Sequence, residues 1–460
     1  MKKAWFFAGV YFFILVFLDR QLLAGLLYGN MDLALNAQIL WNLAHGSGSS
    51  SILGVHFLAN HFIAAYYPLA LVYRFCGGPL FLLALQAFAL ASGGPLVYLI
   101  TRRRLGPPWP LLGALFYYAY PPVFYAGLDE FHNSVMAVPF LLLMIYFYQE
   151  KKLAWFCAAS LAAMGWQENY ASPVFMFGVL ALIERRTRSW ALAPMALGAA
   201  WFAAVVFVIQ PRLNNGNIDM TSNYAHLFTH PAAWLDARFF GEGAAYAVKL
   251  FAPFLCLPLL GWRFLLPASL LFLQHLFSMS PWERHLASHY FAEFAPFLIV
   301  STMGGIAFLA GRVPAGRLRL LVVPGVLAGC LLAFFVSYRG SIPLAQLRSF
   351  EPGPAIEAKR RMLERVPPGA AVVATFEFLP HLSQRRELYS FHFVVSGRHM
   401  HSTRPYRLPE SVDYALLNLG DAFVFGFSGP DGRRRAADFL AGPWHTMDSY
   451  KDTVLLQRRR

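Results

Sequence analysis

Residues 28–62 read YGNMDLALNAQILWNLAHGSGSSSILGVHFLANHF, a stretch rich in polar side chains within a very apolar chain. Between Leu33 and Leu43 the apolar residues recur at helical spacing, which predicts an amphipathic helix. Asn36 and Gln38 belong to the polar face of this helix. Asp32 stands at its start, where aspartate is a favoured N-cap residue. Asp32 is therefore either a helix cap or a functional acid, and the other polar residues of the chain bear on that choice.

The composition places most of the chain in a membrane. Of its 460 residues, 57% are hydrophobic and only 13% are charged, whereas soluble domains carry charge at about 25% of positions. The mean hydropathy is +0.47. The net charge of +14 comes from short basic clusters between apolar runs. That pattern is typical of cytoplasmic loops and excludes a nucleic-acid-binding stripe.

Eleven segments are apolar enough to be predicted as membrane spans, although several are shorter than the roughly 20 residues of a typical span. The first follows Lys2 and Lys3 without a clean cleavage site, so we predict an uncleaved span with a cytoplasmic N-terminus. The predicted spans cover residues 4–22, 80–100, 108–127, 133–149, 153–168, 170–184, 189–210, 246–261, 264–281, 289–310 and 318–337. The apolar segment from His61 to Phe75 is predicted to lie along the outer membrane surface, because a crossing there would invert every later basic cluster.

With this topology the basic clusters all fall on the cytoplasmic side, as the positive-inside rule requires. They are Lys2-Lys3, Arg102 to Arg104, Lys151-Lys152, Arg185-Arg186 with Arg188, Arg263, and Arg312 with Arg317 and Arg319. The predicted location is the cell inner membrane, in a multi-pass domain of residues 1–338 with a first outer loop at 23–79.

The opposite face then collects most of the acids, amides and histidines. It receives the Asp32 loop, Asp129-Glu130-Phe131-His132, Gln167-Glu168-Asn169, the 211–245 loop, and Glu283-Arg284-His285 with His289. Each cluster has an ordinary explanation, since the end of a span must surface somewhere. Polar groups at membrane depth are nevertheless costly and usually functional. Their convergence on one face favours a site there.

From about Tyr338 onward the apolar runs shorten, and no later segment is able to span a membrane. Strands near residues 371–374, 387–391, 413–417, 444–450 and 453–457 alternate with helices near 356–366, 379–384 and 433–440. This alternation predicts a small extracytoplasmic α/β domain over residues 339–460 with a mainly parallel sheet. No glycine-rich phosphate loop follows the first strand. His399 and His401 are two apart in a loop, a spacing more typical of exposed residues than of a metal site.

Several motifs taken in order resemble a known family. Met31-Asp32-Leu33, Asn36-Ala37-Gln38 and Leu40-Trp41-Asn42 are similar to the opening "YFDLGIFNQALWN" of the predicted multi-span membrane proteins called domain of unknown function 2079. The resemblance continues through His56 and His61, Asp129 to His132, Gln167 to Asn169, Glu283 to His285, His289-Tyr290 and Val366 to Gly369. Met31 replaces the expected aromatic residue, and Gln167 replaces an expected lysine.

That family looks like the GT-C glycosyltransferases, which use a polyprenyl-phosphate sugar and keep an acidic residue in the first outer loop. The resemblance implies an α-helical polytopic membrane protein of about eleven spans with a C-terminal α/β domain. It also implies transfer of a sugar from a polyprenyl-phosphate donor to a sugar, lipid or protein acceptor on the extracytoplasmic face.

Such a transfer needs a base for the acceptor's proton and groups that stabilise the departing phosphate. Asp32 is the candidate base, and Asp129 and Glu130 are the other candidate catalytic acids. Arg284, His285 and His289 are candidate phosphate ligands. The remaining candidate substrate-binding residues are Asn36, Gln38, His56, His61, His132 and Glu168. Carboxylates with histidines also suit a divalent metal such as Mg²⁺ or Mn²⁺, although no ligand spacing defines one.

Two other readings remain open. The chain is a transporter or flippase of a lipid-linked or small polar solute if its intramembrane acids are ion or substrate sites, although no internal repeat supports this. It is a non-catalytic envelope protein if its C-terminal domain serves to bind a partner.

Overall fold

The computed structural model describes residues 1–214, 223–230, 237–285, 289–312, 317–338, 353–399, 405–422 and 430–459. Parts of the predicted 211–245 loop, the first residues of the predicted C-terminal domain, and His401 lie outside these ranges.

Helices make up most of the described chain up to Tyr338. They are α1 (Lys2–Ala24), α2 (Asp32–Ala44), α3 (Tyr66–Cys76), α4 (Pro79–Thr101), α5 (Trp109–Ala119), α6 (Pro121–Leu128), α7 (Val138–Gln149), α8 (Leu153–Met164), α9 (Ala171–Ile183), α10 (Arg188–Ala204), α11 (Gln210–Leu213), α12 (His226–Thr229), α13 (Ala237–Phe251), α14 (Leu257–Leu260), α15 (Ser269–Phe277), α16 (Ala295–Ala310) and α17 (Arg317–Tyr338). A two-stranded hairpin of β1 (Ser49–Ser50) and β2 (Val55–His56) follows α2.

Among the described residues, three helices are long and apolar enough to cross a membrane. They are Lys2–Ala24, Pro79–Thr101 and Arg188–Leu213, and shorter apolar helices include Glu168–Ile183 and Ala295–Ala310. Two predicted spans, 246–261 and 264–281, are not continuous helices. After Phe251 the chain runs through short helical pieces that contain Pro253, Pro258 and Pro267. Each proline removes a backbone donor and clashes with the preceding turn, which favours helix breaks along this segment.

Helix α3 has 11 residues and is about 17 Å long, which is short against a bilayer core of about 30 Å. Leu71 and Phe75 on this helix are strongly exposed, at 71% and 85%. An exposed apolar face of this kind suits a helix that lies along a membrane. That His61 to Phe75 does not cross stays a prediction.

Helix α2 differs from the expected amphipathic helix because its polar face is buried too. Asn36, Gln38 and Asn42 are all buried, and each is hydrogen-bonded. Met31 occupies the N-cap position and Asp32 is the first helical residue, with no capping hydrogen bond from a side chain of the N-cap residue itself. The interpretation of Asp32 as the N-cap is therefore wrong.

The described C-terminal region contains α18 (Pro354–Glu364), β3 (Val372–Ala374), α19 (Leu379–Leu382), β4 (Leu388–Ser390), α20 (Phe391–Ser396), β5 (Tyr414–Asn418), α21 (Pro430–Leu440), β6 (Trp444–Tyr450) and β7 (Thr453–Arg458). Strand order in the described sheet is β4-β3-β5-β7-β6. Strand β3 pairs parallel with β4 and β5, but β7 pairs antiparallel with β5 and β6. The expectation of a mainly parallel sheet is wrong, because only Lys451 and Asp452 separate β6 from β7, and so short a turn joins antiparallel strands.

This C-terminal region packs directly on the helices. Buried residues of β3 and α19, such as Val372 and Leu382, share one apolar core with the bundle. Arg360 donates to the carbonyl of Ala24 and His381 contacts that of Leu23 at 3.1 Å, so both side chains cap the C-terminal end of α1. Side chains of this type at a helix C-terminus satisfy free carbonyls.

Basic and acidic clusters lie at opposite ends of the same helices. Helix α9 follows Glu168 and ends just before Glu184, which pairs with Arg186 and Arg263. Its 13 residues span about 20 Å. Helix α7 likewise follows His132 and ends before Glu150, which pairs with Arg103. This separation matches the predicted topology, while the side of the membrane stays a prediction.

Candidate functional site

The start of α2 is held by an acid from a distant part of the chain. Glu130 accepts hydrogen bonds from the backbone N–H of Asn30 at 2.8 Å and of Leu33 at 2.9 Å, one on each carboxylate oxygen. Asp32, which lies between them, accepts a 2.8 Å bond from the Asn30 amide on Oδ2. Among the described residues the other oxygen of Asp32 has no hydrogen-bond partner, and the side chain is half-buried. Both oxygens of Glu130 therefore accept hydrogen bonds from backbone N–H groups, whereas one oxygen of Asp32 has no hydrogen bond to a described residue; this is called the open oxygen of Asp32.

The loop that carries Glu130 is strained and well supported. Glu130 adopts φ +48°, a conformation that is uncommon for a residue with a side chain. The buried amide of Gln86 on α4 donates to the carbonyls of Ala126 and Glu130 and accepts from the N–H of His132. Burial and the nearby charge of Asp32 raise the pKa of Glu130, whereas the hydrogen bonds from the backbone N–H groups of Leu33 and Asn30 favour its ionised form.

Asp129, His132 and His289 form a compact cluster beside Glu130. The Oδ2 atom of Asp129 lies 3.5 Å from Nε2 of His132 and 3.5 Å from Nδ1 of His289. The two imidazole rings stack with centroids 3.5 Å apart. One ligand atom from each residue lies within 4.8 Å of the other two. This is the kind of donor set that holds a divalent metal ion.

Electrostatics separate the two histidines. Burial lowers the pKa of His289 and the neighbouring His132 lowers it further, so its imidazole favours the neutral form. Burial also disfavours charge on His132, but the close contact with Asp129 and the charge of Asp32 raise its pKa overall. For Asp129, burial is outweighed by the close contacts with both histidines, and its pKa is lowered.

The geometry fits a metal ion in one further respect. His132 is 5% exposed, and its Nε2 atom, although 3.5 Å from Oδ2 of Asp129, makes no hydrogen bond within the described part of the chain. A buried polar atom without a partner is costly, and an ion is one way to satisfy it. Imidazole ligands suit transition metals, whereas Mg²⁺ prefers oxygen ligands.

His61 and Glu168 form a second pair at the same end of the helices. Nδ1 of His61 lies 3.1 Å from Oε1 of Glu168, and the backbone N–H of Phe62 donates to Oε2 at 2.8 Å. The charge of Asp32 contributes to raising the pKa of His61, although burial opposes the rise and Glu168 is its main cause.

Three predicted site residues have internal roles instead. Asn36 bonds the carbonyls of Asp32 and Phe131 and accepts from Tyr66 at 2.5 Å, which ties α2 to α3 and to the Glu130 loop. Nδ1 of His56 accepts from the N–H of Leu58 and so caps a short helical turn.

Gln38 is fully buried and faces the C-terminal region. It bonds Ser50 and Ser51 and the carbonyls of Arg385 and Arg386, while Ser51 bonds the backbone of Leu388. Gln38 thus joins the first outer loop to the C-terminal region. The structure does not place it beside the open oxygen of Asp32.

Arg284 and His285 make their described contacts outside the Asp32 and Asp129 groups. Arg284 donates to the carbonyls of His275 and Ser278 and pairs with Glu242 at 3.2 Å. His285 is exposed, with its ring 5.9 Å from that of Trp282.

The structure adds an acid that the sequence reasoning missed. Glu293 is fully buried, accepts from Asn169 at 3.0 Å and lies 4.0 Å from His275. Its Oε1 atom has no partner within the described ranges. The signal in the sequence was an acid inside an apolar run, four residues after His289. Glu283, from the predicted Glu283-Arg284-His285 cluster, accepts from Ser278 at 2.6 Å.

The overall fold is similar to that of ArnT from Cupriavidus metallidurans. The crystal structure of ArnT bound to undecaprenyl phosphate aligns with a TM-score of 0.54 at 12% identity, covering 96% of this chain and 97% of ArnT. The apo crystal structure of ArnT aligns over the same shares with a TM-score of 0.51 and 12% identity. The apo oligosaccharyltransferase of Archaeoglobus fulgidus aligns with a TM-score of 0.42 at 11% identity, over 90% of this chain and 70% of that protein, which is too low to support an argument.

At this identity the similarity to ArnT establishes the fold, and the expected GT-C-like architecture is confirmed at that level. No curated protein sequence matches the chain. The family model described as "Predicted membrane protein (DUF2079)" matches residues 22–437, which is most of the chain. The resemblance seen in the motifs is thereby confirmed, and the chain belongs to the DUF2079 family of predicted membrane proteins.

Proposed function

We propose that this protein transfers a sugar from a polyprenyl-phosphate donor to an acceptor hydroxyl at the end of the bundle that carries Asp32. The observation that carries the proposal is the open oxygen of Asp32, held at the start of α2 by Asn30 and Glu130. The shared fold with a protein crystallised with undecaprenyl phosphate supports the class of donor.

In the reaction the acceptor oxygen attacks the anomeric carbon of the sugar. The bond from that carbon to the phosphate oxygen breaks, and polyprenyl phosphate leaves with the electron pair. Asp32 takes the acceptor proton as general base. Glu130 acts as a positioning residue, because both of its oxygens already accept backbone hydrogen bonds.

The departing phosphate needs positive or hydrogen-bond-donating groups. His61 is the candidate donor, because, against the effect of burial, Glu168 and Asp32 raise its pKa and so favour its protonated form. Arg284 binds the phosphate after releasing its exposed ion-pair partner Glu242. The exposed His285 is a further candidate phosphate ligand.

Asp129, His132 and His289 would hold a divalent metal, and two imidazoles favour Mn²⁺ over Mg²⁺. Such an ion supplies positive charge for the phosphate. In the same proposal the N-terminus is cytoplasmic, and the Asp32 end and the C-terminal domain of residues 339–460 are extracytoplasmic.

The test is transfer by the purified protein in detergent. Polyprenyl-phosphate hexoses and pentoses are supplied in turn with glycan, lipid and peptide acceptors, and release of polyprenyl phosphate is measured. The wild type is expected to release it with at least one donor, and Asp32→Asn is not. Asp438→Asn, at an exposed position on α21, is the matched control. No release with any donor, together with solute uptake by proteoliposomes, would contradict the proposal and favour a transporter.

A further inference from the structure

The end of the bundle opposite Asp32 contains a cavity that the proposed reaction does not use. Its volume is about 470 Å³, and it opens between the ends of α4 and α9, the segment after α14, and α16. The lining includes three charged residues, two glycines and an aromatic residue: Arg104, Glu184, Arg263, Gly261, Gly304 and Phe308.

The cavity carries an excess of positive charge. Arg263 forms a two-point ion pair with Glu184, with Nη2 2.8 Å from Oε2, and Arg186 bonds the same carboxylate at 3.0 Å. Arg104 lies over the Phe264 ring at 5.9 Å and has no carboxylate or hydrogen-bond partner in the described ranges. Among the cavity-lining residues, Arg104 and Arg263 against Glu184 leave a charge of +1, and Arg104 has no acceptor among the described residues.

Glycine keeps the floor of the cavity open. A side chain at Gly261 would meet the carbonyl of Ser301 at 1.9 Å, so α16 and the Gly261 turn approach at backbone distance. A Cβ atom at Gly304 would lie 3.5 Å from Nη1 of Arg104. A larger residue at Gly304 would enter the space beside the guanidinium of Arg104.

The rim of the cavity is apolar and exposed. Ile183, Leu260, Trp262 and Phe308 are 54%, 43%, 52% and 41% exposed. Exposed apolar side chains at the end of a membrane bundle face lipid, and tryptophan is enriched at the level of the headgroups. A lipid at this position would place its phosphate against the guanidinium groups and its hydrocarbon chains against the apolar rim.

We propose that this cavity binds the phosphate headgroup of an anionic membrane phospholipid, with its acyl chains along the apolar rim. Arginine binds phosphate through paired, charge-assisted hydrogen bonds. Basic pockets between membrane helices are suited to anionic headgroups. The bound lipid bridges the ends of α4, α9 and α16, and it is independent of transfer at the Asp32 end.

Native mass spectrometry and lipid titration of the purified full chain test the proposal. Phosphatidylglycerol is expected to bind with higher affinity than phosphatidylcholine. Arg104→Gln should weaken phosphatidylglycerol binding on the order of tenfold, since a hydrogen bond to a charged group is lost. Arg102→Gln is the matched control, because Arg102 is exposed at the same end but does not line the cavity.

Two further measurements keep the outcome clear. Arg104→Lys retains the charge without the paired geometry and should bind with intermediate affinity. Inorganic phosphate alone should leave the unfolding temperature of the wild type unchanged. Three results would each overturn the proposal. They are equal loss of binding in Arg102→Gln and Arg104→Gln, equal binding of both phospholipids, and stabilisation by inorganic phosphate that Arg104→Gln abolishes.

Discussion

The carboxylate of Glu130 accepts a 2.9 Å hydrogen bond from the backbone N–H of Leu33, 97 residues earlier in the chain. An acid from another segment thereby satisfies a free amide at the start of α2, a task that a neighbouring residue performs in most helices. Since Glu130 takes this role, Asp32 is not needed to cap the helix. Its carboxylate lies at the helix N-terminus with one oxygen open, and negative charge is favourable at that position.

Asp32→Asn is expected to abolish transfer while leaving the fold intact. Removing a general base costs on the order of 10²–10⁴ in rate. The loss of favourable charge at a helix start costs less than about 1 kcal/mol of unfolding free energy. Rates of polyprenyl-phosphate release and denaturant unfolding in detergent measure the two effects. An Asp32→Asn variant with full activity would exclude Asp32 as base.

Glu130→Gln is expected to destabilise the protein by about 1–3 kcal/mol. The NH₂ group of the new side chain would face a backbone N–H, so that backbone N–H would lose its hydrogen-bond acceptor. The free energy of unfolding measures this. Glu364→Gln, at an exposed position on α18, is the control and should change stability by less than about 0.5 kcal/mol. Unchanged stability in Glu130→Gln would show that the two amide bonds are dispensable.

One Mn²⁺ ion per chain is expected to bind at Asp129, His132 and His289. Electron paramagnetic resonance of free Mn²⁺ during titration gives the stoichiometry, and His289→Ala should remove the site. His445→Ala removes an exposed histidine of β6 and should leave binding unchanged. Retention of the ion by both variants would place the metal elsewhere.

Cysteine labelling is expected to separate the two ends of the bundle. In a background without the four native cysteines, Ser449→Cys should react with an impermeant thiol reagent from outside the cell. Thr187→Cys should react only after permeabilisation, because it follows the end of α9 that carries the arginine cluster. The reverse pattern would invert the proposed topology.

The fragment 353–460 is expected to fold alone and to unfold cooperatively. Its sheet has a second apolar core of its own, formed by Val373, Ala415, Leu456 and their neighbours. Circular dichroism during heating measures the transition. Ala415→Asp buries an unpaired charge and should abolish it. An insoluble wild-type fragment would mean that the packing of β3 and α19 on the bundle completes this fold.

Much of the architecture follows from local patterns in the sequence. The composition indicated a membrane protein, and the helix and strand positions after Tyr338 agree with prediction within a few residues. Periodicity and turn residues act over short distances, so they can be read without the fold. Two local signals pointed to features that the predictions did not include. Pro253 indicated a helix break after Phe251, and the two-residue turn Lys451-Asp452 indicated the β6–β7 hairpin.

The candidate site depends on contacts that no local pattern encodes. The sequence by itself determined that Asp32, Asp129, His132, Glu168 and His289 flank apolar segments, and it predicted that they gather on one face of the bundle. Only the tertiary structure decided that Glu130 serves the backbone of α2, that Gln38 faces the C-terminal region, and that Asp129 and His289 share one cluster. The reason is physical: a side chain's partners are set by helix packing, and the helices that bring these residues together are far apart in the chain.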